Sequence, residues 1–411
     1  MTLGPRSDRV RPALDSGATN VRIVISSPMA KAPRPPSLGV QARFTLDSRD
    51  SINDIFLGAK ICAPSRSTGG MGIAMAMRFP GLTLSAAITL MLCGAALVSS
   101  SLISSSSTFA DDLATRDTFW RNNAFLCAGS SILFPSKEVK GHPQDCDDGD
   151  MTLFNGLLCS AGEAAGCDAV ALSQSADGRW WRSPRRIGME ATRYDVSFSP
   201  DQSLGVLLYV LRTGDKVRFS HWLSWIESHR PCLTKIGGKC FQYGWLRFCS
   251  DDVDKRCTLR PADCVRLEAV AQTIGVDGSL CRRTMRELGL PTDILRPLGD
   301  FLLGAAAVND PGYPQHLVGV DILLARKLGV DPSKVNQAAA ILTARTNDNP
   351  FFQYLNVGAT AGVRAAVLST CPAPERPSGN RFQWTWERVA RPDAWVDSMY
   401  WECIFLGDLL R

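Results

Sequence analysis

From residue 199 onward, apolar side chains return every third or fourth position, the spacing of helices with one buried face. Ser199-Pro200-Asp201-Gln202 has the pattern of a capping box with proline at the first helical position. It predicts a helix with an apolar run over Leu204–Leu211 that stops near Thr213-Gly214. A second helix starts at Asp215 and carries Phe219, Trp222, Leu223 and Ile226 on one stripe. His229, near its end, suits the negative pole of the dipole. So short a link forces the two to pack antiparallel. The same punctuation predicts helices from Pro261 through Val270, Leu280 to Leu288, Pro297 to Val308 and Pro314 to Leu328. Others start at Asp331-Pro332 and at Pro350, the latter containing Gly358, Ala359 and Gly362, and a last one spans Asp393 to Leu410. With one more at Asp150–Glu163, nine or ten helices are expected. Strand character is limited to short runs such as Ala169–Leu172.

Upstream, the pattern is different. Arg78 precedes an apolar run, a serine-rich stretch and the small-residue triplet Thr108-Phe109-Ala110. That is the layout of a secretory signal peptide. Residues 1–70 are rich in Arg, Pro and Ser and have little periodicity, so they read as disordered or as an over-extended start. The expected organisation is therefore 1–70 disordered or a mis-assigned start, 71–110 signal peptide and 111–411 one mature helical domain. A membrane contact after cleavage is not expected.

That division changes the charge. Of 45 Lys+Arg and 40 Asp+Glu, residues 1–110 hold 11 and 5, leaving 34 and 35 in the mature part. The basic excess belongs to the leader, and nothing points to a nucleic-acid partner. Of 14 cysteines, 12 lie beyond Ala110, an even number that fits an oxidising compartment and a disulfide framework. No Cys-x-x-Cys pair exists and the spacings do not match a zinc site, so no metal and no cofactor are expected. Six of the cysteines crowd Cys232–Cys281 and mark a stapled insertion at about 230–260 on a helical body.

Three constellations could carry chemistry. Asp145-Cys146-Asp147-Asp148-Gly149-Asp150 precedes a helix, where a carboxylate is either a cap or, at Asp148 or Asp150, a group facing a cleft. The glycine sits one place early for a calcium loop, and Gly156 stands where its glutamate would be. Arg179-Trp180-Trp181-Arg182 offers two indoles that could stack on a sugar and a guanidinium for its hydroxyls or carboxylates. The bland reading puts a tryptophan in the core. Asn309, Tyr313 and His316 share a loop between two apolar helices, as either an acid/base cluster or a capped turn with a core histidine. His316 falls in the first helical turn, so a neutral imidazole is expected. Gly-x-Ser-x-Gly, phosphate loops, dinucleotide fingerprints and His-Glu-x-x-His are absent.

The acidic segment DDGDMTLFNGLLC, the segment DGRWWRSP and the helix SFSPDQSLGVLLYVLRTGD together resemble secreted (α/α)-toroid carbohydrate-active enzymes over about Asp147 to Leu368. The resemblance implies an all-α, toroid-like fold of helical hairpins, an incomplete toroid in view of the helix count. It also implies cleavage of a polysaccharide or oligosaccharide. On a hydrolase pattern Asp150 and Asp201 would be the acid/base pair. On a lyase pattern Asn309, Tyr313 and His316 would remove the proton beside a uronate carboxylate that Arg182 neutralises. The alternative is a non-catalytic, disulfide-stapled secreted protein that binds a glycan or a protein at the cell surface.

Overall fold

Prolines in the first turn start five of the described helices, and a pair of glycines sets how closely two central helices approach. The computed structural model describes residues 112–129, 131–139, 142–189, 198–250, 257–376 and 400–411, within a compact unit spanning Gly81–Arg411. Residues 1–110 with the expected signal peptide, Asp195, Asp251-Asp252, Trp384, Trp386, Trp395 and the first part of the predicted last helix lie outside the described residues.

The fold is mainly helical. A first helix, α1 (112–123), leads into two small antiparallel ribbons, β1 (Leu126–Ala128) with β2 (Leu133–Pro135) and β3 (Lys137–Val139) with β4 (His142–Asp147). Then come α2 (Met151–Ala161), α3 (Ala164–Ala171), α4 (Pro200–Thr213) and α5 (Lys216–Ser228). The hairpin β5 (Cys232–Ile236) and β6 (Lys239–Tyr243) interrupts the helices. They resume as α6 (Pro261–Ile274), α7 (Leu280–Glu287), α8 (Leu298–Val308), α9 (Tyr313–Lys327) and α10 (Pro332–Arg345). The described chain ends with α11 (Pro350–Val357), α12 (Ala361–Thr370) and α13 (Trp401–Leu409).

Helix α2 lies at the centre, with every residue from Met151 to Ser160 buried. It meets α4 backbone to backbone. A Cβ on Gly156 would run into the carbonyl of Gly205, and one on Gly205 into that of Thr152. Leu153 and Gln202 are hydrogen-bonded, and Gly156 meets Gly205 three residues further along each helix, so α2 and α4 run in the same direction. Helix α9 runs the same way. Its first residue, Tyr313, bonds Asp201 at the start of α4, and its last, Lys327, reaches the Ser160 carbonyl near the end of α2 at 3.2 Å. Three N-termini therefore gather at one end.

Six disulfides each join cysteines that follow one another along the chain: 127–146, 159–167, 232–240, 249–257, 264–281 and 371–403. The insertion is anchored by aromatic packing: Phe248 stacks on Trp222 of α5 at 5.4 Å, and Trp180 meets the same indole edge-on at 5.4 Å.

Three expectations need correction. The run Ala169–Leu172 ends a helix and is no strand, because the Cys159–Cys167 bridge and α2 fold Ala164–Ala171 back as a short hairpin partner. The helix from Pro350 does not continue through Gly358; that residue takes φ 75°, a left-handed conformation that suits glycine, and Thr360 caps a separate α12 through the Val363 amide. The Ser199 hydroxyl does not cap α4, for reasons that lie in the site itself.

Candidate active site at three helix N-termini

The first-turn amides of a helix need acceptors, and the residue at the N-cap position usually supplies one. Asp150 holds that position on α2, yet its side chain makes no cap bond. The amides are satisfied from elsewhere: Thr152 N–H donates to the Arg182 carbonyl at 2.8 Å, and Leu153 N–H donates to Gln202 Oε1 at 3.1 Å. The Thr152 hydroxyl also donates to the Trp181 carbonyl at 2.6 Å. The Arg179–Arg182 segment thus lies across the end of α2 and releases the Asp150 carboxylate for other contacts.

Those contacts converge on one oxygen. Arg182 Nη1 donates to Asp150 Oδ1 at 2.9 Å and to the Gly149 carbonyl at 2.9 Å, and Gln202 Nε2 donates to the same Oδ1 at 3.2 Å. Among the described residues, Oδ2 receives no hydrogen bond, and the side chain keeps 32% of its exposure. Arg182 Nη2 donates to the Ser199 hydroxyl at 2.9 Å. This accounts for the failed capping box: Ser199 and Gln202 are both turned toward the Asp150 network.

Asp201, in the first turn of α4, accepts the hydroxyl proton of Tyr313, the first residue of α9. Although the side chain is partly exposed, the protein packed closely around it withdraws water, and this desolvation and then the Asp201 charge push the Asp150 carboxyl above its ordinary range, against Arg182 and the buried Lys137. Lys137 stands 3.3 Å from Asp147 and packs over the Phe154 ring. Burial, and after it the charges of Asp201 and Asp150, raise the Tyr313 phenol well above 10, so it stays protonated. The site therefore holds a carboxyl biased toward its acid form, a second aspartate that accepts from a phenol, and a guanidinium bridging their two helix starts.

His316 stacks beside Tyr313 with ring centres 6.1 Å apart and also touches Phe154 and Phe351. It is fully buried, and that burial lowers its pKa to about 3. The imidazole is neutral, as the sequence led one to expect, but the dominant cause is burial rather than the helix dipole. It sits in the aromatic core. Asn309 donates its amide to the Pro314 carbonyl at 3.3 Å and closes the α8–α9 loop instead of joining the carboxylates.

Two further expectations fail on exposure. Trp180 is wholly buried and donates its indole N–H to the Val170 carbonyl. Trp181, only 7% exposed, donates to Ser175 and carries the Arg179 guanidinium over its ring at 4.0 Å. Neither offers a free face to a sugar. Asp148 is also removed from candidacy: it is buried, accepts from Ser183, and takes both Nε and Nη2 of Arg186 on Oδ1, which makes it a latch for the 183–186 turn. Gln202, Ser199 and Lys137 were missed. As a sequence pattern the first two form a cap, and nothing in the short strand Lys-Glu-Val singles out its lysine.

Among the described residues no group of three or more His, Cys, Asp and Glu is arranged to hold a metal ion, and no helix is long and apolar enough to cross a membrane. No protein-family model, curated protein or solved structure matches this chain.

Proposed function

We propose that Asp150 and Asp201 are the acid/base pair of a secreted or periplasmic enzyme that cleaves a polysaccharide or oligosaccharide. The observation that carries the reading is a pair of aspartates with opposed environments. Asp150 is pushed toward its acid form by burial and by Asp201, with one oxygen unbonded at a partly exposed surface, whereas Asp201 accepts a phenolic proton. Glycosidic hydrolysis requires two carboxyl groups in different environments, one to protonate the leaving oxygen and one to act as base or nucleophile. Helices α2, α4 and α9, starting at one end, support a toroid-like arrangement in which the site lies at helix N-termini. The hydrolase pattern is favoured over the lyase pattern. Asn309 is spent on its own loop, Tyr313 holds its proton, and His316 is enclosed.

One observation favours the non-catalytic alternative: Asp150 and Asp201 each already have partners within the fold. The test is to incubate purified native protein with neutral and acidic polysaccharides and follow reducing ends and ultraviolet absorbance. New reducing ends without absorbance support hydrolysis; absorbance from an unsaturated uronate supports the lyase. Binding without either product on a broad panel supports the binding protein. The six disulfides fit an oxidising compartment. Cleavage after Ala110 is checked by mass analysis of the native N-terminus, which is expected at Asp111.

A further inference from the structure

The β5–β6 hairpin is built unlike the rest of the described chain. Leu233, Ile236, Phe241 and Tyr243 stand 62%, 61%, 76% and 43% exposed on ten or so residues, around a Gly237-Gly238 turn. Large apolar side chains at such exposure ordinarily mark a contact surface when they cluster. The cluster is held firmly. The Cys232–Cys240 bridge crosses it, Gly244 N–H donates to the Pro231 carbonyl at 2.7 Å, and Arg230 ties its base to α7 through Glu287. Arg230 also donates to the Gly244 carbonyl at 2.8 Å and lies over the Tyr243 ring.

Charge identifies what the surface meets. Residues 228–250 contain Arg230, Lys235, Lys239 and Arg247 and no acidic residue. Lys235 and Lys239 are exposed at the turn end and make no ion pair among the described residues. A second copy of the hairpin would set these lysines against each other. A sugar would use aromatic faces flanked by hydrogen-bonding side chains, whereas two of the four apolar groups here are branched aliphatics. Apolar side chains beside unpaired lysines fit an interface of anionic headgroups over hydrocarbon.

We propose that the β5–β6 hairpin docks this protein on an anionic lipid surface, with Ile236 and Phe241 entering the headgroup region and Lys235 and Lys239 on the phosphates. This contact is peripheral, is independent of the carboxylate site, and replaces the expectation of no membrane contact.

The test is co-sedimentation of purified native protein with vesicles of equimolar phosphatidylglycerol and phosphatidylcholine, and with phosphatidylcholine alone. Binding is expected to the first only, and to weaken in high salt. The double variants Ile236→Ser/Phe241→Ser and Lys235→Glu/Lys239→Glu are each expected to bind about tenfold or more weakly. All four positions are exposed, and unchanged circular dichroism and disulfide count certify the fold of each variant. The proposal is overturned by no binding to anionic vesicles, or by binding that neither variant weakens. It is equally overturned by a concentration-dependent dimer that both variants dissolve while vesicles are ignored, since that assigns the hairpin to a second copy.

Discussion

Two aspartate pairs in this fold each lie beside one arginine, and they are organised in opposite ways. Between α6 and α9, Arg266 donates to Asp263 Oδ1 at 2.6 Å and to both oxygens of Asp321, while Asp263 Oδ2 caps the Arg260 amide at 2.8 Å. All four carboxylate oxygens are used, and both aspartates are buried. At the starts of α2 and α4, Arg182 serves Asp150 and Ser199 and leaves Asp201 to a phenol, and among the described residues Asp150 keeps an unbonded oxygen at a partly exposed position. Burial raises Asp321 as it raises Asp150, so a raised carboxyl alone does not mark a site. What separates them is saturation. A closed cluster binds helices together; an open one retains a group that a substrate can reach.

The sharpest way to test that contrast is to break each cluster and read both activity and stability. Asp150→Asn keeps the shape but removes the acid, and is expected to reduce turnover about 10²–10⁴-fold. Its stability at neutral pH should change by no more than about 1 kcal/mol, since a carboxyl repelled by Asp201 is replaced by a neutral amide. Arg266→Met should do the reverse, with a loss of about 3–5 kcal/mol from two stranded buried carboxylates. Urea midpoints and initial rates on the same preparations check both. If Arg266→Met proves harmless to folding, the saturated cluster is not the clamp described here.

A smaller effect is expected where α2 meets α4. Gly205→Ala forces a methyl into the Thr152 carbonyl and should cost about 1–3 kcal/mol. Because that contact sets the Asp150–Gln202 register, activity should fall along with stability. Gln202→Leu removes an acceptor for the Leu153 amide and a donor to Asp150, for about 1–3 kcal/mol by thermal unfolding.

A pH-dependent effect lies in the acid limb of stability. The His316 pKa falls to about 3 on folding, so below its ordinary 6.5 the unfolded chain takes a proton that the folded one refuses. Stability is therefore lost as pH falls from about 6.5 towards 3, by about 1.4 kcal/mol per pH unit. Asp408 acts with the opposite sign. Burial raises it to about 6, so the folded state gains its proton first and stability rises as pH falls from about 6 to 3.8. The two oppose each other across pH 4–6. His316→Phe should remove only the first contribution, and unfolding midpoints of the variant should rise relative to wild type as pH falls.

Much of the helical body was legible because its boundaries are local. Pro200, Pro261, Pro332 and Pro350 start helices where they stand, and Asp215 and Asp331 cap as their positions indicate. Successive cysteines pair, but spacing alone allows many other pairings. The site was legible in part. Asp150, Asp201 and Tyr313 each sit at a helix start, and that shared position is why the fold brings them together. The rest depended on tertiary facts. Ser199 and Gln202 match a capping box perfectly as a string, yet Arg182, seventeen residues before Ser199, reaches Ser199 first. The indoles of Trp180 and Trp181 have the composition of a sugar platform, but only packing against Trp222 and Arg179 decides that they face inward.

The most direct test of the central claim needs no substrate. Carbon-13 carboxyl NMR can titrate Asp150 in the wild type and in Asp201→Asn. Coupled acid/base partners predict an Asp150 pKa above the ordinary 3.8 in the wild type, moving down when Asp201 loses its charge. An Asp150 that titrates at or below 3.8 and is indifferent to Asp201 would contradict the account.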